Sequence, residues 1–382
     1  MIFSDAFIAA VNDSGPGPVA LAMMRDERLR LPSWLSHHRA MGIRRFVVID
    51  NGSRDGTWEM LAAEPDVHAV RTDESYLQSG WGAAWLAEFH AKIAPGTWVL
   101  FTDADELLVY RGWPARPLDD LLAAAGEHGA NALFAFMLDM YPDGPLEAAR
   151  PGADAGMMAL APCFDGDYVF RRPPVRPWQD APAGAIEVLG GPRLRLLSTL
   201  DRERRTTWLH YFARGQIDRL LPLTPNALLP LLVRAMPKQM PALSKFPLVR
   251  AGEDIRYLNA HSCTGVRPYG ENAVLLHYKF LGDFADRVAV ECTRREHYRR
   301  GSEYLMYARL LRKHGHLDLR YGGTRRFSGA DQLVELSLIR DIGPLLAADR
   351  RSGADDESAK GAAETCGSSD GQAPSAGPLR AA

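Results

Sequence analysis

No stretch of about twenty apolar residues occurs in this chain of 382 residues, so no segment reads as a membrane-spanning helix. Cysteine is scarce. Cys163, Cys263, Cys292 and Cys366 are too few and too scattered for a disulfide framework, and none stands in the paired spacing of a zinc site. Neither sign of charge dominates: 45 Lys and Arg against 47 Asp and Glu leave a formal charge of −2, without the basic excess of a nucleic-acid binder. Residues 1–11 are apolar in flavour but carry Asp5 and lack a basic start, unlike a secretory signal. These absences predict reduced thiols, a cytoplasmic location, no nucleic-acid partner and no transmembrane segment, leaving room for peripheral membrane contact.

What is present is ordinary for a soluble globular protein, with 46% hydrophobic and 24% charged residues. The length exceeds what one hydrophobic core usually serves, which predicts one large α/β domain with additions, or two domains. The first third alternates strand-like and helix-like segments, the pattern of a parallel sheet covered on both faces. An apolar run over 18–24 leads through Arg25-Asp26-Glu27 into a helical pattern over 32–41 that opens on proline. The segment 45–50, Arg-Phe-Val-Val-Ile-Asp, reads as a second strand ending in an acid. Asn51-Gly52-Ser53 reads as a turn, Asp55 as the cap of a short helix through Leu61, and 67–71 as a third strand. Leu77, Trp81, Trp85, Phe89 and Ile93 recur at helical spacing, and 97–102 is a fourth, nearly all-apolar strand.

After Tyr141 proline and glycine become frequent through about Pro192, predicting a loop-rich middle. Helical spacing returns over 283–313, and Ser328 with Asp331 resembles a capping box opening a last helix through Ile339. Beyond 351 almost no large apolar side chain is found, so the tail cannot offset its ordering entropy and is predicted to be disordered.

Asp103-Ala104-Asp105-Glu106 directly follows the fourth strand, at the carboxyl edge where open α/β sheets bind ligands. Carboxylates crowded there repel one another. A divalent cation offsets that repulsion and leaves room for phosphate oxygens. An isolated Asp-x-Asp is common by chance and often only caps or solvates a loop. Here the hydrophobic strand before it, the preceding βα units and the upstream strand ending at Asp50 favour a metal-diphosphate site.

Four segments, in order and separation, resemble the family 2 glycosyltransferases of bacteria, in the subgroup with a long C-terminal extension. They are Met24-Arg25-Asp26-Glu27, Trp34-Leu35-Ser36-His37-His38-Arg39, Val48-Ile49-Asp50-Asn51-Gly52-Ser53-Arg54-Asp55-Gly56-Thr57, and the stretch from Trp98 to Leu108. Lys245-Phe246-Pro247-Leu248-Val249-Arg250 and Leu276-His277-Tyr278-Lys279-Phe280 look like later motifs, so the resemblance covers about 19–311. Each piece alone is weak; the set is specific. The resemblance implies the GT-A fold, a Rossmann-like mixed sheet flanked by helices. Its nucleotide-sugar-binding half would span 18–140, its acceptor-side half 141–282, a helical C-terminal extension 283–350 and a disordered tail 351–382.

It also implies roles for single residues. Asp50 and Glu27, with Arg25 and Asn51 beside them, would line the nucleotide pocket. Asp103 would face ribose or metal, and Asp105 would coordinate Mn²⁺ or Mg²⁺ against the donor diphosphate, with Glu106 supporting both. A distant histidine often completes such a site; His277 is the first candidate and His261 its rival, against the plain alternative of a core histidine satisfied by backbone. Lys279 and Arg250 are candidates for phosphate contact, although exposed basic residues are mostly solvated. The metal and basic groups would stabilise charge on the departing diphosphate while a carboxylate takes the acceptor proton, with inversion at the anomeric carbon. For that base Asp139, after the strand-like 132–136, comes first and Asp165 second. Arginines crowd 171–176 and 193–205 near Trp178 and Trp208, forming either an acceptor surface or a solvated basic face over core tryptophans.

The expected activity is therefore transfer of a sugar from a nucleotide diphosphate donor to a glycan, lipid-linked or other hydroxyl acceptor. A non-catalytic sugar-nucleotide or glycan-binding module of the same fold is the alternative. A phosphatase of the haloacid dehalogenase type also uses Asp-x-Asp after a strand. It needs that motif in an Asp-x-Asp-Gly-Thr context near the start of the fold, whereas Glu106-Leu107 follows here and three βα units come first.

Overall fold

The computed structural model describes residues 1–150, 156–172, 186–202, 242–252, 254–294, 296 and 298–347. Trp178, Trp208, residues 173–176 and 203–205 of the two arginine-rich stretches, and the tail beyond 351 lie outside the described residues.

The first half runs α1 (Asp5–Asp13), β1 (Val19–Met24), α2 (Leu31–Ala40), β2 (Arg45–Asp50), α3 (Thr57–Ala63), β3 (Val67–Arg71), α4 (Ala83–Lys92), β4 (Trp98–Phe101), β5 (Glu106–Val109), α5 (Leu118–Glu127) and β6 (Ala132–Tyr141). There follow α6 (Met157–Leu160), β7 (Cys163–Asp165), β8 (Tyr168–Arg171), β9 (Glu187–Gly190) and α7 (Gly191–Arg202). The described chain resumes with β10 (Ser244–Arg250), β11 (Arg256–Asn259), β12 (Ser262–Thr264), β13 (Ala273–His277), α8 (Phe284–Arg294), α9 (Tyr298–His314), β14 (Thr324–Arg326) and α10 (Ala330–Glu335).

Among the described residues ten strands join one mixed sheet. Its parallel core is β3-β2-β1-β4, followed by β10, antiparallel to both β4 and β6. β13 lies parallel to β6 and carries β5 antiparallel on its far side. Alternation along the strands explains the continuous apolar runs. Ala20, Ala22, Phe46, Val48 and Leu100 pack with Trp34 and Leu35 of α2, while Val19, Leu21, Val47, Ile49, Val99 and Phe101 pack with Trp85, Leu86 and Phe89 of α4. Both faces are covered, so both sets of side chains are apolar. A third cluster joins Tyr141 at the end of β6 to Phe284, Val288, Tyr307 and Leu310 of α8 and α9.

Three local expectations need correction. The helix expected over 77–93 begins only at Ala83, because Trp81 (φ 56) and Gly82 (φ 82) adopt left-handed backbone that no α-helix continues through. The capping box at Ser328 forms differently: the Ser328 N–H donates to Oε1 of Gln332 at 3.0 Å rather than to Asp331, and α10 ends at Glu335. The strand expected over 132–136 runs to Tyr141, so Asp139 lies inside β6 rather than after it.

Candidate functional site

β1, β2 and β4 are parallel, so their carboxyl ends reach one edge of the sheet, where a cavity of about 790 Å³ opens. Arg25 and Glu27 follow β1, Asn51 follows β2, and Asp103 and Asp105 follow β4; all five line the cavity. The facing wall comes from far along the chain: His277 ending β13, Lys279, His261 in the β11–β12 turn, and Arg287 and Arg294 of α8.

At the floor Asp105 meets His277, with Oδ2 and Nε2 3.7 Å apart. The backbone holds this approach, since the Tyr278 N–H donates to the Asp105 carbonyl at 2.7 Å. The other ring nitrogen, Nδ1, lies 2.6 Å from Oδ1 of Asp139, and Oδ2 of Asp139 accepts from Nε of Arg193 at 2.7 Å. Burial opposes the charge on Asp105, but His277, Arg287, Arg30 and Lys279 outweigh it and hold the carboxyl below the usual carboxylate range. Burial likewise opposes ionisation of Asp139, and Arg193 and His277 again prevail, lowering its pKa.

Lys245 is fully buried behind Asp103, its Nζ 2.6 Å from Oε2 of Glu106 and 3.7 Å from Oδ2 of Asp103, over the ring of Phe101. Burial pushes its pKa down and the two carboxylates push it further up. Glu106 also accepts from the Asp103 N–H at 3.0 Å, which fixes the turn that presents both aspartates. Asp103 is shifted upward by loss of water, then by Glu106 and Asp105, against the pull of Lys245. His261 is held down to about 4 by burial and by Lys245, so it is neutral at pH 7.

Asn51 is the hub of the other end. Its Nδ2 donates to the carbonyls of Thr72 (3.2 Å) and Glu74 (2.9 Å), its Oδ1 accepts from Arg294 (3.2 Å), and its carbonyl accepts from Arg25 (3.0 Å). Glu27 takes a two-pronged hydrogen bond from Arg287 at 2.8 and 2.9 Å. Arg30, only 1% exposed, reaches Asp283 with both terminal nitrogens at 2.8 Å. Tyr76 and Trp81 form an aromatic side of the cavity, tied to Glu296 through the Tyr76 N–H and the Trp81 indole N–H.

Of the residues expected from sequence, Arg25, Glu27, Asn51, Asp103, Asp105, His277, His261 and Lys279 line one cavity. Asp50 stands behind its wall, fully buried, accepting from the Ser53 N–H and paired with Arg71 at 3.2 Å. Neither expected base faces the cavity: Asp139 is enclosed by Arg193 and His277, and Asp165 by Arg195 (2.7 Å) and the Tyr141 hydroxyl (2.8 Å). Arg250 lies at the opposite edge, because β10 is antiparallel and pairs Arg250 with Trp98, where β4 begins. Lys245, at the other end of the same strand, is the cation that reaches the acids. Arg287 and Arg294 stand in no motif, and neither the motif that contains Lys245 nor the arginine-rich stretch that contains Arg193 points to the acids; only the three-dimensional path brings these four in. No protein-family model matches the chain, and no curated protein matches it.

Proposed function

We propose that this protein is a metal-dependent glycosyltransferase that takes a sugar from a nucleotide diphosphate donor, as the family 2 resemblance implies. The observation carrying this reading is the approach of Asp105 and His277 to 3.7 Å at the carboxyl edge of the parallel strands, with Asp103 beside them. Two protein ligands with the remaining positions left to water and phosphate oxygens suit Mg²⁺ or Mn²⁺. The donor set fits: one ionised carboxylate and one imidazole nitrogen, His277 Nε2, 3.7 Å from it. When bound, the cation supplies charge neutralisation for the diphosphate leaving group. The protein's own residues do the rest. Arg25 and Asn51 hold the nucleoside end against Tyr76 and Trp81, and Lys279 and Arg287 face the phosphates. A glycan or lipid-linked hydroxyl enters beside His261.

The second reading, a sugar-nucleotide or glycan-binding module without turnover, draws on one observation: neither expected base lines the cavity, and each is engaged by an arginine. Incubation with a panel of nucleotide sugars and Mn²⁺, reading nucleoside diphosphate release and donor binding separately, distinguishes the two. Release from one donor, abolished by chelator, supports the transferase. Tight binding without release, with every acceptor class supplied, favours the module, and neither binding nor release removes both.

A further inference from the structure

We infer that Asp139 is a positioning residue, which fixes His277 in the tautomer with its proton on Nδ1 and so turns the Nε2 lone pair toward Asp105 and a divalent cation. The inference rests on the metal reading proposed above and replaces the role of proton acceptor that the sequence suggested for Asp139.

The geometry leaves little freedom. Asp139 and His277 are paired neighbours on the parallel strands β6 and β13, so the backbone register itself sets them side by side. Asp139 has no exposed surface, and its two oxygens are divided between two partners: Oδ1 to His277 Nδ1 at 2.6 Å and Oδ2 to Arg193 Nε at 2.7 Å. Arg193 always donates, and an ionised carboxylate only accepts. Nδ1 must therefore carry the hydrogen in the contact with Oδ1. When the ring carries a single proton, as any imidazole ligating a cation must, that proton is on Nδ1 and Nε2 is the lone pair. Its nearest acid oxygen, Oδ2 of Asp105, is 3.7 Å away, too far for a direct hydrogen bond and a suitable span for two atoms ligating one ion. Carboxylates behind ligating histidines act in this way generally, setting both tautomer and ring angle.

Arg193 makes the substitution Asp139→Asn informative. Its Nε–H needs an acceptor, so the carboxamide oxygen turns to Arg193 and the amide NH₂ faces Nδ1. Nδ1 must then accept, the proton moves to Nε2, and the lone pair is lost from the cation side. A purely structural Asp139 predicts a lower melting temperature with no change of tautomer.

The test uses the full-length, metal-free chain with ¹⁵N-labelled histidine, the His277 signals being assigned by their loss in His277→Gln. Followed across the pH range, the wild type is expected to keep its proton on Nδ1 and the lone pair on Nε2 wherever the ring carries a single proton; the reverse pattern overturns the proposal whether or not any variant folds. Titration with Mn²⁺ alone, followed by the electron paramagnetic resonance of the free ion, is expected to show Asp139→Asn weakened by about 10- to 100-fold. Wild-type Mn²⁺ affinity in Asp139→Asn, with His277→Gln weakened, overturns the positioning role and leaves the metal reading standing. Wild-type affinity in His277→Gln overturns the metal reading itself, and the proposal with it.

Discussion

Asp105 is held ionised, against burial, by His277, Arg287, Arg30 and Lys279, and its carboxylate faces the cavity rather than supporting the fold. Asp105→Asn removes that charge and little packing. Turnover with Mn²⁺ is expected to fall by about 100-fold or more, as the loss of several kcal/mol of charge stabilisation requires. The melting temperature should stay near that of the wild type, and normal turnover in this variant would remove the acidic cluster from the mechanism. A second residue-scale effect concerns His37 and His38, buried against the core. Burial lowers the His37 pKa to about 4, against the hydrogen bond to the Leu108 carbonyl, and lowers that of His38 further. Below the ordinary value of 6.5 the unfolded chain binds a proton that the folded chain refuses, so stability is full above that pH and is lost as the pH falls toward 4. For His37 alone the loss is on the order of 3 kcal/mol at pH 4. Chemical denaturation between pH 7 and 4.5 should show this decline, flattened in His37→Gln; equal slopes for the two proteins would contradict the burial argument.

At the scale of elements, α8 presents Arg287 and Arg294 two turns apart, one to Glu27 after β1 and the other to Asn51 after β2. Arg287→Met leaves Glu27 in a buried place with Arg30, 3.5 Å away, as its remaining ion-pair partner among the described residues. A cost of about 1–3 kcal/mol is expected, less than for a wholly buried pair because Arg287 is part-exposed, together with weaker binding of nucleoside diphosphate. Calorimetry and thermal melting on one preparation test both; unchanged nucleotide affinity would take α8 out of the site. Gly82, which starts α4 with φ 82, is a second sensitive point, since a Cβ there meets the Met23 side chain as well as a strained backbone. Gly82→Ala should lose more than about 1 kcal/mol in urea unfolding. These elements differ in how far sequence exposes them. The core strands β1, β2 and β4 are legible because a strand buried on both faces is a short apolar run between turns, and the acids at or just after their ends follow from direction alone. β10 is legible as a motif of the resemblance but not in its direction. That direction, with the bulge between Lys245 and Leu248 that accommodates Pro247, exchanges the expected Arg250 for Lys245 at the acids. The surroundings of Asp139 are hidden for a related reason: it lies inside β6 rather than after it, and its partners Arg193 and His277 are long-range.

Across the whole molecule, the sequence suggests a C-terminal extension beginning near 283, whereas the packing makes α8 and α9 part of the body that forms the cavity. Arg30 in the first βα unit is almost without exposed surface, and its two-pronged partner is Asp283. Removing that carboxylate leaves a buried guanidinium with Glu27 alone, and Glu27 loses Arg287 at the same time. The cut also strips Phe280 and Tyr141 of Phe284, Val288, Tyr307 and Leu310, opening an apolar patch at the end of β6. Breaking one buried ion pair costs about 3–5 kcal/mol, and whole domains are stable by only about 5–15 kcal/mol. A chain ending at Gly282 is therefore expected to be aggregated or to melt without cooperativity, while a chain ending at Leu346 retains these contacts. Circular dichroism melts and size-exclusion profiles of the two truncations compare them directly. A cooperative transition for the shorter chain near the wild-type temperature would mean that the helices are an appended unit, and that the wall bearing Arg287 and Arg294 closes over an independently folded sheet.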